Sequence, residues 1–165
     1  MADGQRAPAP RPTIADLEGP VQAQAPFAWE PTELYPDLLF HGPDFRVIQS
    51  LGGVSDTGAA AVLVGLREKG WPGDVWKTDV AAIDGGLQLA RLWGIHVLGR
   101  KSLPTRIGAY HHLKEGPLEG PIRCELRGRT YGTHRTHSDI VFSSQDGTPV
   151  AKLNDVEAHM LPDAE

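Results

Sequence analysis

Asp84 and Gln88 stand four residues apart in "TDVAAIDGGLQLARLWGIHVL", the stretch from Thr78 to Leu98. At 3.6 residues per turn this spacing puts both side chains on one face of a helix, and Arg91 extends the stripe. The other directions of the helix are taken by Val80, Ile83, Leu87, Leu89, Ala90 and Trp93. A carboxyl group on so apolar a rod must pair, stay wet or keep its proton, because an unpaired buried carboxylate is costly. A carboxyl that keeps its proton near neutral pH can donate it, which is the task of a general acid. Gln88 can hydrogen-bond that acid and fix its rotamer. Gly85 and Gly86 each cost about 1 kcal/mol of helix propensity against alanine, so their presence means that something approaches the backbone closely. A purely structural pattern is also open at this level: Asp84 pairs with Arg91 or Lys77, or faces solvent, and the glycines let a sheet pack against the helix.

The remaining polar residues offer less. His134 and His137 have a spacing that suits a helix, yet "THRTH" reads as strand, and no acid or cysteine cluster completes a metal site there. Neither a metal nor an organic cofactor is expected. Cys124 is the only cysteine, so no intrachain disulfide can form and a reducing, cytoplasmic setting is expected.

The elements around the polar stripe are legible from pattern. Residues 1–31 hold six of the fourteen prolines and read as a flexible leader, with Phe27 and Trp29 able to pack on a domain spanning 32–162. Runs at 45–54 and 59–66, split by "SDTG", read as an antiparallel pair. Thr78 or Asp79 caps the helix and Gly99 ends it. Beyond it come strands near 105–113, 121–131, 136–144 and 148–158, the last two joined by the turn "QDGTP". One long apolar helix and about six strands make an α+β fold, with the helix lying on, and wrapped by, a curved antiparallel sheet.

A net charge of −5 and a pI near 5.8 argue against nucleic acid as the main partner. Residues 100–135 nevertheless carry eight Lys or Arg against three acids, which reads as solvated strand faces or as a docking surface for an acidic partner. The first residues lack the apolar core of a signal peptide, and no apolar run approaches the roughly 20 residues of a membrane span.

Four blocks of this chain, in order, resemble the aspartate-bearing, C-terminal half of polyketide synthase dehydratase domains. "LLFHGPDFRVI" is similar to their G-P-x-F block, and "DVAAIDGGLQLA" to their D-x-x-x-Q helix. "SLPTRIGAYHHLKEG" resembles the L-P strand, and "SDIVFSSQDGTPVAKLNDVEAH" the closing hairpin. "FHGPDF" and "THSDIVF" lean toward the branch that includes polyunsaturated-fatty-acid synthases.

The resemblance implies a hot-dog fold of about five to seven strands, with Asp84 as catalytic acid and Gln88 as its partner. It further implies a 3-hydroxyacyl substrate on the phosphopantetheine of an acyl carrier protein, and loss of water to give an enoyl thioester. Gly42, Pro43, Phe45, Gly85 and Pro104 would then line the substrate pocket. In that family the base is a histidine of a second hot-dog half, marked H-x-x-x-G-x-x-x-x-P. "HLKEGPLEGP", from His112 to Pro121, matches this literally, but it lies where a strand and turn are expected and no helix follows. His41, in the place of the tyrosine of the family's Y-G-P block, is the better second catalytic group. A second hot-dog subunit, identical or histidine-bearing, is the expected partner. A non-catalytic scaffold, or a hot-dog cyclase, isomerase or thioesterase, fits the same fold.

Overall fold

The computed structural model describes residues 25–72 and 75–162. Seven strands form one antiparallel sheet: β1 (Ala25–Pro26), β2 (Ile48–Ser55), β3 (Gly58–Leu63), β4 (Ser102–His112), β5 (Ile122–Tyr131), β6 (Arg135–Ser143) and β7 (Pro149–Met160). Their order across the sheet is β1-β2-β3-β5-β6-β7-β4, so β4, the strand that follows the helix, forms one edge. The single α-helix among the described residues, α1 (Val80–Leu98), lies against the middle of that sheet. This is the α+β layout expected from the patterning. β1, which pairs with β2, and the rings of Phe27 and Trp29, packed against the core, lie within the stretch read as leader. Residues 1–24 of that stretch fall outside the described residues.

Strict alternation sets which face of each strand meets the helix. In β5, Ile122, Cys124, Leu126 and Gly128 are buried, while Arg123, Glu125, Arg127 and Arg129 point outward. The helix side of the sheet holds Leu63, Ile122, Leu126, Ile140, Phe142 and Leu153, which enclose Leu89, Leu92 and Trp93 of α1. Burial pushes the Cys124 thiol well above the usual thiol range, which leaves it a small apolar core residue. The approach of helix to sheet is close at two residues. A Cβ on Gly85 would lie 2.8 Å from Val47 Cγ2 and 2.9 Å from Leu63 Cδ1, and one on Gly86 would overlap the Phe142 ring. The glycines therefore remove the side chains that would hold α1 off the strands.

Asp79, only 2 % exposed, anchors the start of the helix. Its carboxylate accepts from Ala82 N (3.0 Å) in the first turn, from Leu66 N (3.1 Å) after β3, and from Leu118 N (2.9 Å) before β5. At the other end Gly99 adopts φ 74°, and its N–H donates to Ile95 O at 2.8 Å. The ends of α1 are thus held by the two residue types that cap helices best.

On the outer face, His137 of β6 is buried at 3 % exposure and meets Asp155 of β7 (Nδ1···Oδ1 2.9 Å). Asp155 sits at φ 52° where the β6–β7 register shifts, and its N–H donates to Asp139 Oδ1 at 2.8 Å. The other oxygen of Asp139 is buried without a hydrogen-bond partner among the described residues. Burial raises the Asp139 carboxyl above its usual range, and the neighbouring Asp155 adds to the effect against the hydrogen bond from its N–H.

Two stability measurements test these anchors. Asp79→Ala leaves three backbone donors without their acceptor and is expected to cost about 3 kcal/mol in chemical denaturation, with Asp79→Asn costing less. Because the folded state binds the Asp139 proton more tightly than the unfolded chain does, the ionised group opposes folding once pH rises past its folded value. Asp139→Asn is therefore expected to raise the thermal midpoint at pH 7. That gain should vanish as the pH is lowered and Asp139 takes up its proton.

Candidate active site

The helix presents Asp84 in its second turn and Gln88 one turn later, and residues 34–47 cross directly over them. Gln88, 1 % exposed, is the hub. Its Nε2 donates to Phe45 O at 2.7 Å and to Asp84 Oδ2 at 2.8 Å, while its Oε1 accepts from the Tyr35 hydroxyl at 2.6 Å. The Phe45 carbonyl can only accept, so the amide has one orientation: Nε2 toward Phe45 and Asp84, Oε1 toward Tyr35. Burial pushes the Tyr35 phenol up to about 12, the largest of several influences that include a small upward push from Asp84. It stays a donor across the physiological range.

His41 reaches the same carboxyl from the crossing segment, with Nε2 3.2 Å from Asp84 Oδ2. Burial lowers the His41 imidazole below its ordinary value; the Asp84 charge opposes this and the Arg91 charge reinforces it. His41 is therefore neutral at pH 7. Its Nδ1 is buried with no hydrogen-bond partner among the described residues. A buried lone pair is more readily left unmatched than a buried N–H, so the ring carries its proton on Nε2 and donates to Asp84.

Among the described residues both polar contacts of the Asp84 side chain thus fall on Oδ2, and both are donors. Oδ1 has no hydrogen-bond partner among the described residues, and the side chain is 29 % exposed. A proton on this carboxyl belongs on Oδ1. Arg91, which could have neutralised Asp84, is engaged elsewhere: it donates to Leu38 O (2.9 Å) and Ser102 O (2.8 Å).

The other residues expected at the site fall into distinct groups. Gly42 and Pro43 open the 3-10 turn Pro43–Phe45 and are exposed beside His41. Phe45 contributes its carbonyl, while its ring meets Trp71 edge to face at 5.0 Å. Gly85 is buried, and the close approach that its missing side chain permits is made by Val47 and Leu63 of the protein itself. Pro104 lies in β4 opposite Ala158. His112 ends β4, and Pro121 is followed by strand β5. His137 belongs to the outer-face pair with Asp155. Tyr35 was not singled out by spacing. It lies 53 residues before Gln88, and only the chain's path across α1 brings the two together.

Neither the protein-family models nor the curated proteins contain a match to this chain. Solved structures do match. The dehydratase domain of the polyketide PpsC from Mycobacterium tuberculosis aligns with a TM-score of 0.66 at 21 % identity, over 88 % of this chain and 55 % of that one. The bifunctional dehydratase-cyclase domain in ambruticin biosynthesis aligns at 0.68 and 17 % identity, over 91 % and 53 %. A hypothetical thioesterase with coenzyme A from Streptococcus pneumoniae TIGR4 aligns at 0.58 and 14 % identity, over 78 % of this chain and 98 % of its own. The chain has the hot-dog fold. It spans about half the length of the dehydratase chains that it matches. Among the described residues no helix is long and apolar enough to cross a membrane.

Removing the phenol hydroxyl tests the hub. Tyr35→Phe leaves Gln88 Oε1 without its donor and is expected to destabilise the fold by about 1–2 kcal/mol at pH 7. Folding holds the Tyr35 proton more tightly than the unfolded chain does, so the wild type loses stability as pH rises from 10 toward 12. In Tyr35→Phe that part of the alkaline slope should be missing from the unfolding free energy measured against pH.

Proposed function

We propose that this chain is the acid-bearing half of a dehydratase that acts on 3-hydroxyacyl thioesters carried by the phosphopantetheine of an acyl carrier protein. The observation that carries this reading is the Asp84 carboxyl, held on Oδ2 by Gln88 and His41 while Oδ1 stays open. In the reaction a base removes the proton from C2, and the released electron pair forms the C2–C3 double bond. The C3–O bond breaks, and the departing hydroxyl takes the proton from Asp84 Oδ1 to leave as water. Gln88 and His41 stabilise the carboxylate that remains. His41 acts through Asp84, because its Nε2 is turned to that carboxyl and its Nδ1 is buried.

The C2 base then comes from a second hot-dog subunit bearing a histidine. The span of about half the dehydratase chains supports this, as does the eleven-residue edge strand β4, which among the described residues pairs on one side only, with β7, and exposes Ile107 and Tyr110. Basic residues between 100 and 135 would receive the acidic carrier protein. A single free, buried cysteine suits a reducing, cytoplasmic location.

Thioester hydrolysis is the second reading. It needs only a water on Asp84 Oδ1 and no second histidine. The match over nearly the whole of the hypothetical thioesterase from Streptococcus pneumoniae favours it.

A 3-hydroxyacyl-pantetheine thioester, offered to the chain alone and with a histidine-bearing hot-dog partner, separates the two. Enoyl absorbance that requires the partner is the expected result, and Asp84→Asn should lower it by about 10²-fold or more. Free thiol without enoyl product would replace elimination by hydrolysis. With neither product in either arm, both catalytic readings fail and the chain is a scaffold or acyl-binding subunit.

A further inference from the structure

Arg91 is 94 % removed from solvent, its residue exposure being 6 %, yet among the described residues it meets no carboxylate. Its hydrogen bonds go to two backbone carbonyls: Leu38 O, three residues before His41, and Ser102 O, the first residue of β4. Buried charges are ordinarily paired, because leaving a cation without a counter-charge is expensive. Burial accordingly draws the guanidinium down from its usual range. A structural clamp could be built more cheaply from a neutral amide.

The position of Phe40 gives the charge a use. The guanidinium lies 5.3 Å from the Phe40 ring centroid, and Phe40 stacks on the His41 imidazole at 4.5 Å with 16° between the planes. Phe40 is 65 % exposed, so burial does not explain its place. On the other side of His41, Tyr35 meets the imidazole edge-on at 6.4 Å, and Arg46 lies 5.5 Å over the Tyr35 ring while donating to His41 O at 3.2 Å. The histidine is gripped on both sides.

We propose that Arg91, with Phe40 between them, is a positioning residue for His41 that seats the imidazole against Asp84. The charged and titratable groups facing His41 are Asp84 and Arg91 from α1, and Tyr35 and Arg46 from the segment that crosses it. Of these only Asp84 favours an imidazolium. Burial and the Arg91 cation oppose it, and Nδ1 is the nitrogen with no acceptor to receive a proton's hydrogen bond. With His41 neutral, its Nε2–H remains directed at Oδ2, and the open Oδ1 is the oxygen that exchanges protons with substrate. The role of Arg91 in catalysis rests on the dehydratase reading, but its effect on His41 does not.

NMR titration of the His41 ring in the substrate-free protein tests this, with thermal midpoints recorded alongside. Arg91→Met is expected to move the His41 titration to higher pH, and Arg91→Lys, which keeps the charge, should restore the wild-type titration. Phe40→Leu, at an exposed position, should leave the thermal midpoint within about 2 °C of wild type while loosening the imidazole. The loosening would appear as averaged ring-nitrogen shifts and, where turnover is measured, a loss of about 3–10-fold in kcat at unchanged KM. An unchanged His41 titration in folded Arg91→Met overturns the proposal. Should Arg91→Met not fold, Phe40→Leu decides: ring-nitrogen shifts identical to wild type sink it. A failure of all thioester turnover with these ring effects present counts against the dehydratase reading alone.

Discussion

The amide of Gln88 is the interaction on which the candidate site depends. Three hydrogen bonds of 2.6–2.8 Å leave it one orientation, and two of them tie a different part of the chain to the helix. Through Phe45 O the amide holds the 3-10 turn, through Tyr35 the start of the crossing segment, and through Oδ2 the carboxyl itself. A side chain that could flip would leave the hydrogen bond to Asp84 Oδ2 undefined. Here the Phe45 carbonyl prevents the flip, since turning the amide over would set two acceptors against each other. The network is buried, where satisfied hydrogen bonds are strong and unsatisfied ones costly, so it acts as a single unit.

That unit needs a rigid base, and the close approach of helix to sheet supplies one. With side chains deleted at Gly85 and Gly86, the residues just after Asp84, the Phe142 ring and the Leu63 and Val47 methyls reach the helix backbone. A helix packed this closely cannot rotate about its axis without collision, and such rotation would carry Asp84 away from the crossing segment. Asp79 adds the axial constraint by tying the first turn to the loops after β3 and before β5. The five residues 84–88 therefore hold both the polar group and the small residues that fix its direction.

Much of this was legible in one dimension. The 3.6-residue period placed Asp84 and Gln88 on one stripe, and alternation in "IRCELRGRT" separated inward from outward residues. His41, Gly42, Pro43 and Phe45 were marked by their resemblance to a block near a catalytic aspartate. The glycines were legible as a close approach but not as to what approached, because a missing Cβ serves a ligand and a phenylalanine ring alike. Arg91 was read as a possible partner of Asp84, being on the same stripe. It turned instead to Leu38 and Ser102, whose carbonyls enter its surroundings only when distant segments meet.

Sequence by itself determined the fold class, the extent of the helix, the strands that follow it and the polar pair within it. Those properties rest on local periodicity, capping residues and turn chemistry, all written within a few residues of one another. Tertiary structure alone decided that Tyr35 donates to Gln88, that both donors to Asp84 converge on Oδ2, and that Phe40 lies between a buried guanidinium and an imidazole. Each of these joins α1 to a segment about 40–55 residues earlier in the chain. No local pattern encodes such a meeting, since it follows from how the whole sheet carries one segment across the other.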